Sequence, residues 1–177
     1  MKKELWIIGG VAAAIGGILI TKSNRRFKKA KVVKDFRLDR YLGKWYEIAR
    51  IDFRYEKDLK NTTAEYSLNE DGSVKVLNKG YNFKKEIWKE SEGKAKFDGA
   101  TNKGKLKVSF FGPFYSDYNI IDIQENYKYA LVVGKNNDYL WILSRDKEIP
   151  RTVKNKFLIK AIEIGYDIDD LVWVDHD

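Results

Sequence analysis

The sequence predicts an all-β fold: an eight-stranded antiparallel up-and-down barrel with one C-terminal α-helix packed outside, preceded by an N-terminal hydrophobic helix. Three observations point there. Strand-like runs separated by turn signals recur at even spacing from Gly43 to Leu143. Within them apolar and polar residues alternate with period two, as in a sheet with one wet face. One later segment alone changes to a period of three to four residues. Even strands joined by hairpins close most economically into a barrel, because closure removes the exposed edges.

The first element is Leu5 to Ile20, "LWIIGGVAAAIGGILI", sixteen residues without a charge. As a helix it is about 24 Å long, against a hydrocarbon core of about 30 Å, so it reads as a short membrane span or a long signal-peptide core. Ala12-Ala13-Ala14 offers a small-residue cleavage site, but cutting there would leave "IGGILI" as a hydrophobic new terminus. An uncleaved anchor is therefore the favoured reading. Lys22, Arg25, Arg26, Lys28, Lys29, Lys31 and Lys34 follow it as a basic juxtamembrane stretch, residues 22–34, suited to anionic headgroups. That stretch would hold the following domain in the cytoplasm by the positive-inside rule, whereas a signal-anchor with Lys2 and Lys3 inside would export it. Both sides of the membrane stay open. The chain is thus divided into an anchor or signal segment, 1–34, and one folded domain, 35–177, a size that suits a single core.

The strands follow in order: the run through Trp45, then Thr62–Leu68, Ser73–Leu77, Lys94–Phe97, Leu106–Phe111, Tyr118–Ile123, Tyr129–Val133 and Tyr139–Leu143. Asp71-Gly72 between the second and third is a hairpin signal. Leu106, Val108 and Phe110 alternate with Lys105, Lys107 and Ser109, and Ala64, Tyr66 and Leu68 alternate with Glu65 and Ser67. The helix is placed in "PRTVKNKFLIKAIEIG", Pro150–Gly165, where Val153, Phe157, Ala161 and Ile164 form one apolar stripe. Pro150 suits the first helical position and Gly165 the left-handed position past the end. The stripe needs a surface, and the outside of the barrel is the one available. Leu171–Val174 reads as a short final strand.

Charge and composition exclude several functions. Residues 1–34 hold nine of the 34 Lys and Arg and one of the 26 Asp and Glu, so residues 35–177 carry 25 of each sign. A neutral domain has no overall footprint for a phosphate backbone, which argues against nucleic acid. Without cysteine there is no disulfide, thiolate nucleophile, Cys-based zinc site or lipidation cysteine. The single histidine, His176, is penultimate and is expected to be inert on a frayed end, which leaves imidazole catalysis and His metal clusters little to work with. No metal and no cofactor is expected.

"RYLGKWYEIAR" opens the first strand with Gly-x-Trp, and Arg145 stands just after the last barrel strand, ahead of the helix. With those residues the chain resembles the lipocalin family. The resemblance implies that Trp45 plugs the closed end, that Arg145 lies across it and that Gly43 allows close backbone approach; Tyr127 belongs to the second family motif. A Trp ring with an Arg on its face is in any case a sound plug, the contact contributing about 0.5–2 kcal/mol. "GKWYEIAR", "LNKGYNF", "SEGKAKF", "VSFFGPFYSDYNII", "YALVVG", "YLWILSR" and "VWV" look like the bacterial outer-membrane branch of the family, related to apolipoprotein D, over residues 36–175. Two departures stand out. Gln124 occupies the place of an Asp three residues before Tyr127, and the lipidated cysteine of that branch is missing. Any anchorage falls to residues 5–34.

The branch resemblance implies non-covalent binding, storage or transfer of a fatty acid, lysophospholipid or similar lipid, by a membrane-anchored protein of the bacterial cell envelope. An eight-stranded barrel can hold one small ligand. Ala49, Ile51 and Phe53 share Trp45's phase and are the inward candidates on the first strand, and Tyr66, Phe97, Val108, Phe110, Tyr118 and Trp141 are those on the others. Each could equally be ordinary core. Glu47 also shares Trp45's phase, so either it faces a wet base or a bulge resets the phase. "FFGPFY", Phe110–Tyr115, is either an apolar rim at the mouth or a turn whose aromatics pack down onto the core; the second is favoured, because the run looks like a feature of the fold. A lipocalin-fold enzyme, with Glu47 or a pocket tyrosine as acid or base, and a filled structural or partner-binding barrel are the alternatives. No catalytic residue is assigned.

Overall fold

The computed structural model describes residues 27–52, 56–124 and 126–177. The Leu5–Ile20 run and Phe53 lie outside them. Among the described residues no helix is long and apolar enough to cross a membrane.

Eight antiparallel strands close into a barrel. They are β1 (Gly43–Ile51), β2 (Leu59–Leu68), β3 (Val74–Asn82), β4 (Ile87–Phe97), β5 (Lys105–Phe111), β6 (Phe114–Ile123), β7 (Tyr129–Val133) and β8 (Leu140–Ser144), each paired with its sequence neighbour. Closure comes from β1, whose Gly43–Tyr46 segment pairs with β2 while its Tyr46–Arg50 segment pairs with β8. A four-residue helix, α1 (Leu38–Tyr41), precedes β1, and the helix α2 (Arg151–Glu163) follows β8. A last short strand, β9 (Leu171–Trp173), adds to the outer end of β1 at Ala49–Ile51. Two cores result. One fills the barrel around Trp45, Tyr66, Leu106, Ile120 and Val132. The other lies between the barrel and α2, around Ile48, Leu131, Ile142, Phe157 and Ala161. β7 serves both, which is why "YALVV" is buried throughout and apolar without alternation.

Phe157 and Ala161 of α2 are buried as the stripe requires, and Gly165 sits at φ +104 just past the helix. Lys156 and Lys160 tie the helix to the buried Asp122 of β6 at 3.3 and 3.1 Å.

Three expectations are corrected. β2, β3, β4 and β6 run several residues further toward the β1–β2, β3–β4 and β5–β6 turns than periodicity indicates: the ends of β4 and β6 have no buried face to create the period, and the buried positions at the end of β3 are Gly80 and Asn82, which carry no apolar signal. The barrel's outer packing begins before residue 35: Lys28 N–H donates to Ile164 O at 3.0 Å, and Val33 N–H to Ile120 O at 2.9 Å. His176 is not on a frayed end, since its ring bonds the Glu47 carbonyl at 2.9 Å, and the neighbouring Asp177 pairs with Lys60 at 2.7 Å.

Candidate functional site

The closed end is built from residues flanking β1. Tyr41, Trp45 and Phe36 stack there, with ring centroids 4.8 Å apart for Tyr41 and Trp45 and 5.4 Å for Phe36 and Tyr41. The Trp45 indole N–H donates to Tyr41 O at 2.8 Å, which closes α1 onto the strand. Arg145 lies over the Trp45 ring at 3.8 Å. Its guanidinium also donates to the carbonyls of Arg40, Leu42 and Lys44 at 2.8–2.9 Å, so it caps the C-terminal carbonyls of α1 and clamps the barrel floor. Gly43 stands at φ +89, the reason a glycine is needed; a Cβ there would meet Arg145 at an ordinary 3.5 Å, so close approach is not. Tyr127 completes the floor, its hydroxyl accepting from Arg37 N–H at 2.8 Å.

Above this floor the barrel holds a cavity of about 480 Å³ opening toward the β1–β2, β3–β4, β5–β6 and β7–β8 turns. That is within the range of small-molecule sites, roughly 300–1,000 Å³. The deeper part of its β3–β5 wall is apolar, made by Val74, Val76, Ala95, Leu106, Val108 and Phe110, while polar residues of β3, β4 and β6, among them Asn78, Lys79, Ser91 and Asp117, line it nearer the mouth. Three tyrosines sit at its base: Tyr118 shares hydroxyl hydrogen bonds of 2.7 Å with both Tyr41 and Tyr66. Burial raises the pKa of all three, so they stay neutral in any physiological range.

The opposite wall is charged. Arg50, only 1% exposed, bonds the Glu47 carboxylate at 2.8 Å and Asp52 at 3.0 Å, and donates to the Glu56 carbonyl at 2.7 Å. The Glu56 carboxyl lies 3.9 Å from Arg50 and accepts from the Trp141 indole at 3.4 Å. Burial works against the Arg50 charge, but Glu47 outweighs it and the Arg50 pKa rises. Burial raises Glu47, and raises Glu56 well above the ordinary value, with repulsion from Glu47 adding to it. Glu56 is thus the carboxyl that this wall pushes furthest toward its protonated form. When protonated it offers an O–H donor and a carbonyl acceptor beside Trp141.

The structure sorts the sequence candidates. Tyr66, Val108, Phe110, Tyr118 and Trp141 line the cavity. Phe97 does not: it packs toward the floor against Phe36, 6.2 Å between centroids. Ala49 and Ile51 point the other way, into the core beneath α2. The cause is a bulge. β1 and β8 pair Glu47 with Leu143 but Ala49 with Ile142, so Ile48 is an extra residue and the phase reverses beyond it. Glu47 therefore faces the cavity, and Arg50 returns to the interior in place of Ala49 and Ile51. The aromatic run 110–115 is also corrected, since its aromatics do not pack down onto the core: Phe110, Phe111 and Phe114 all border the cavity, the latter two as its rim. Phe111 and Phe114 are 65% and 79% exposed at the mouth.

Residues the sequence reading missed fall into two groups. Val74, Val76 and Ala95 follow plain period-two patterns and could have been found by extending the alternation across β3 and β4. Glu56 sits in the β1–β2 turn, reached only through the fold of that loop, and no local pattern announces it. Among the described residues no group of three or more His, Asp or Glu is arranged to hold a metal ion.

A family model described as a lipocalin-like domain matches residues 36–176. The chain is 48% identical over 166 residues to the outer membrane lipoprotein Blc of Escherichia coli (strain K12), covering 93% of this chain and 94% of that protein. It is 33% identical to apolipoprotein D of Rattus norvegicus over 169 residues, 89% and 87% of the two chains. Among solved structures it superposes on insecticyanin from the tobacco hornworm Manduca sexta with a TM-score of 0.69 at 22% identity, covering 86% and 87%, a likeness of fold.

Proposed function

Because the chain belongs to the lipocalin family, we propose that its cavity binds one single-chain lipid, a fatty acid or lysophospholipid, non-covalently, and that the protein stores or transfers it while held at a membrane of the bacterial cell envelope. The observation that carries this reading is the division of the cavity walls. A hydrocarbon tail fits the deeper β3–β5 surface of Val74, Val76, Ala95, Leu106, Val108 and Phe110, side chains without a polar group. A polar head fits the Glu56–Trp141 side, where a protonated carboxyl can donate to a phosphate or carboxylate oxygen without setting two negative charges side by side. Tyr66, Tyr118 and Trp141 supply aromatic surface between the two. The envelope placement is supported by the names of the bacterial relatives. With no cysteine in these 177 residues, the attachment available within them is the apolar run 5–20 with the basic residues behind it. No turnover is proposed: Glu47 and Glu56 are engaged with Arg50, and the tyrosine hydroxyls at the base with one another.

The test is titration of the full chain in a non-ionic detergent with a fluorescent fatty acid, and displacement by lysophosphatidylethanolamine. One saturable site per chain is expected. In Ala95→Phe, whose ring projects from the apolar wall into the cavity, affinity falls at least tenfold. Binding that does not saturate, or that Ala95→Phe leaves unchanged, refutes the reading and favours a barrel that works by its surface.

A further inference from the structure

Ten large apolar side chains are exposed among the described residues, and six of them stand on two neighbouring hairpin tips at the mouth. The β3–β4 tip carries Phe83, Ile87 and Trp88, and the β5–β6 tip carries Phe111, Phe114 and Tyr115. The closed end exposes only Leu68 on its β2–β3 turn. Apolar side chains gathered at one end of a barrel mark a contact surface, whereas singly scattered ones do not. The β3–β4 tip is also basic. Lys84, Lys85 and Lys89 accompany Phe83 and Trp88 with Glu86 among them, Lys84 pairing with Asp58 of the adjacent β1–β2 turn at 3.0 Å, from which Lys57 also projects; the β5–β6 tip itself carries no charge, and Lys96 lies over its Tyr115 ring at 4.3 Å. An aromatic and lysine fringe of this kind matches the interface of a bilayer with anionic headgroups.

The course of the chain points to the same end. Phe27, the first described residue, packs edge-on against Tyr166 at 5.7 Å. Tyr166 in turn donates its hydroxyl to Tyr139 O at 2.7 Å and to Asn136 O at 3.0 Å, both in the β7–β8 turn at the mouth. The chain therefore comes onto the barrel at mouth level and runs down its outside to Phe36 at the floor. Ile20 and Phe27 are seven residues apart, a reach of about 25 Å when fully extended. Strands of nine to eleven residues are about 30–36 Å long, and at a tilt of about 35–45° the barrel stands about 23–28 Å tall. An anchor ending at Ile20 sets the mouth on a bilayer with slack to spare and reaches the floor only when those seven residues are fully extended.

We propose that the β3–β4 and β5–β6 tips form a membrane-docking surface that holds the cavity opening against an anionic phospholipid bilayer. This gives the proposed lipid binding its route, since cargo would pass between bilayer and cavity across an apolar rim and avoid the aqueous phase. The surface itself is read from exposure and chain course, and rests on the lipid-binding reading only for that purpose.

The chain's lack of cysteine permits clean single-site labelling. Full-length Phe114→Cys and Trp88→Cys at the mouth, and Glu70→Cys on the exposed β2–β3 turn at the floor, are labelled with an environment-sensitive fluorophore. They are reconstituted in vesicles of phosphatidylethanolamine and phosphatidylglycerol containing lipid with a nitroxide on its acyl chain. Docking predicts quenching at both mouth sites at least twofold greater than at Glu70, weakening when phosphatidylglycerol is omitted. Equal quenching at all three sites, or more at Glu70, overturns it. Shielding of the mouth labels that follows protein concentration and ignores the quencher also overturns it, in favour of contact between two copies. The fatty-acid titration is read separately. Quenching without saturable binding would remove the proposed cargo and leave the docking surface standing.

Discussion

Replacing Arg50 with methionine tests the charged wall of the cavity. The side chain is almost wholly buried and makes an ion pair with Glu47 at 2.8 Å, a second with Asp52 at 3.0 Å and a hydrogen bond to the Glu56 carbonyl at 2.7 Å. Methionine keeps much of the stem's packing and removes the charge. Breaking a buried pair by deleting one partner costs about 3–5 kcal/mol, most of it from the charge left behind. That cost depends on Glu47, the close partner of Arg50, being ionised. Burial already raises Glu47 and Glu56, and the loss of Arg50 raises them further. A carboxyl raised in the folded state contributes stability that is fully present below its unfolded value, about 4.3, and is lost as pH rises through its folded value. Arg50→Met should therefore cost about 3–5 kcal/mol at pH 7 and about 2 kcal/mol at pH 4, where only the orphaned carbonyls and lost hydrogen bonds remain.

Urea unfolding of the full chain in a non-ionic detergent, followed by tryptophan emission, reads this directly. With a slope of about 2 kcal/mol per molar, the midpoint falls by about 2 M at pH 7 and about 1 M at pH 4. Adding Glu47→Gln and Glu56→Gln to Arg50→Met should flatten the pH dependence, since no buried charge then remains to be stranded. A loss that is the same at both pH values, or smaller than about 1 kcal/mol at pH 7, would show that the cluster is solvated and strands no buried charge.

Two further outcomes follow from the floor and the mouth. Arg145→Met loses the contact over Trp45 and the fork of bonds to the carbonyls after α1 and should cost about 2–4 kcal/mol; Arg145→Lys should recover less than half of it, because an ammonium cannot span those carbonyls, with thermal melting as the readout. Gly93→Ala places a Cβ 2.7 Å from the Phe110 ring and 2.8 Å from Ser109 O, which should cost about 1–3 kcal/mol and displace Phe110 at the cavity mouth, visible as weakened fatty-acid affinity in the titration; unchanged stability and affinity would mean that β4 and β5 separate freely there.

The barrel was legible in the sequence where each strand has one wet and one dry face. Leu106, Val108 and Phe110 against Lys105 and Lys107 is such a case, as is the helical stripe of Phe157 and Ala161. The mouth was less legible, because Ile87-Trp-Lys-Glu-Ser-Glu92 has no packed interior beside it and so carries no period, although it is continuous β4. The cavity was legible where alternation holds, at Tyr66, Val108, Phe110, Tyr118 and Trp141. It was misread on β1, where one inserted residue inverts every assignment after Glu47. Charged residues are ordinarily counted out of an interior, and no property of Arg50 or Glu56 taken singly places them inside. Their burial is visible only once both are seen to face one another.

That inserted residue links the two cores. Before Ile48, β1 alternates Trp45 and Glu47 inward with Tyr46 outward, and a regular continuation would put Ala49 and Ile51 in the cavity and Arg50 beneath α2. The bulge instead sets Ile48 and Ala49 side by side on the outer face, where both join Phe157 and Ala161, and turns the guanidinium of Arg50 inward. Neither half would serve alone. An arginine under the helix would strand a charge in a core whose buried Asp122 is already paired with Lys156 and Lys160, and an apolar pair in the cavity would leave Glu47 and Glu56 with no counter-charge. The polarity that distinguishes one side of the cavity from the other is thus a product of backbone geometry on β1, set by a single residue that itself touches no part of the cavity.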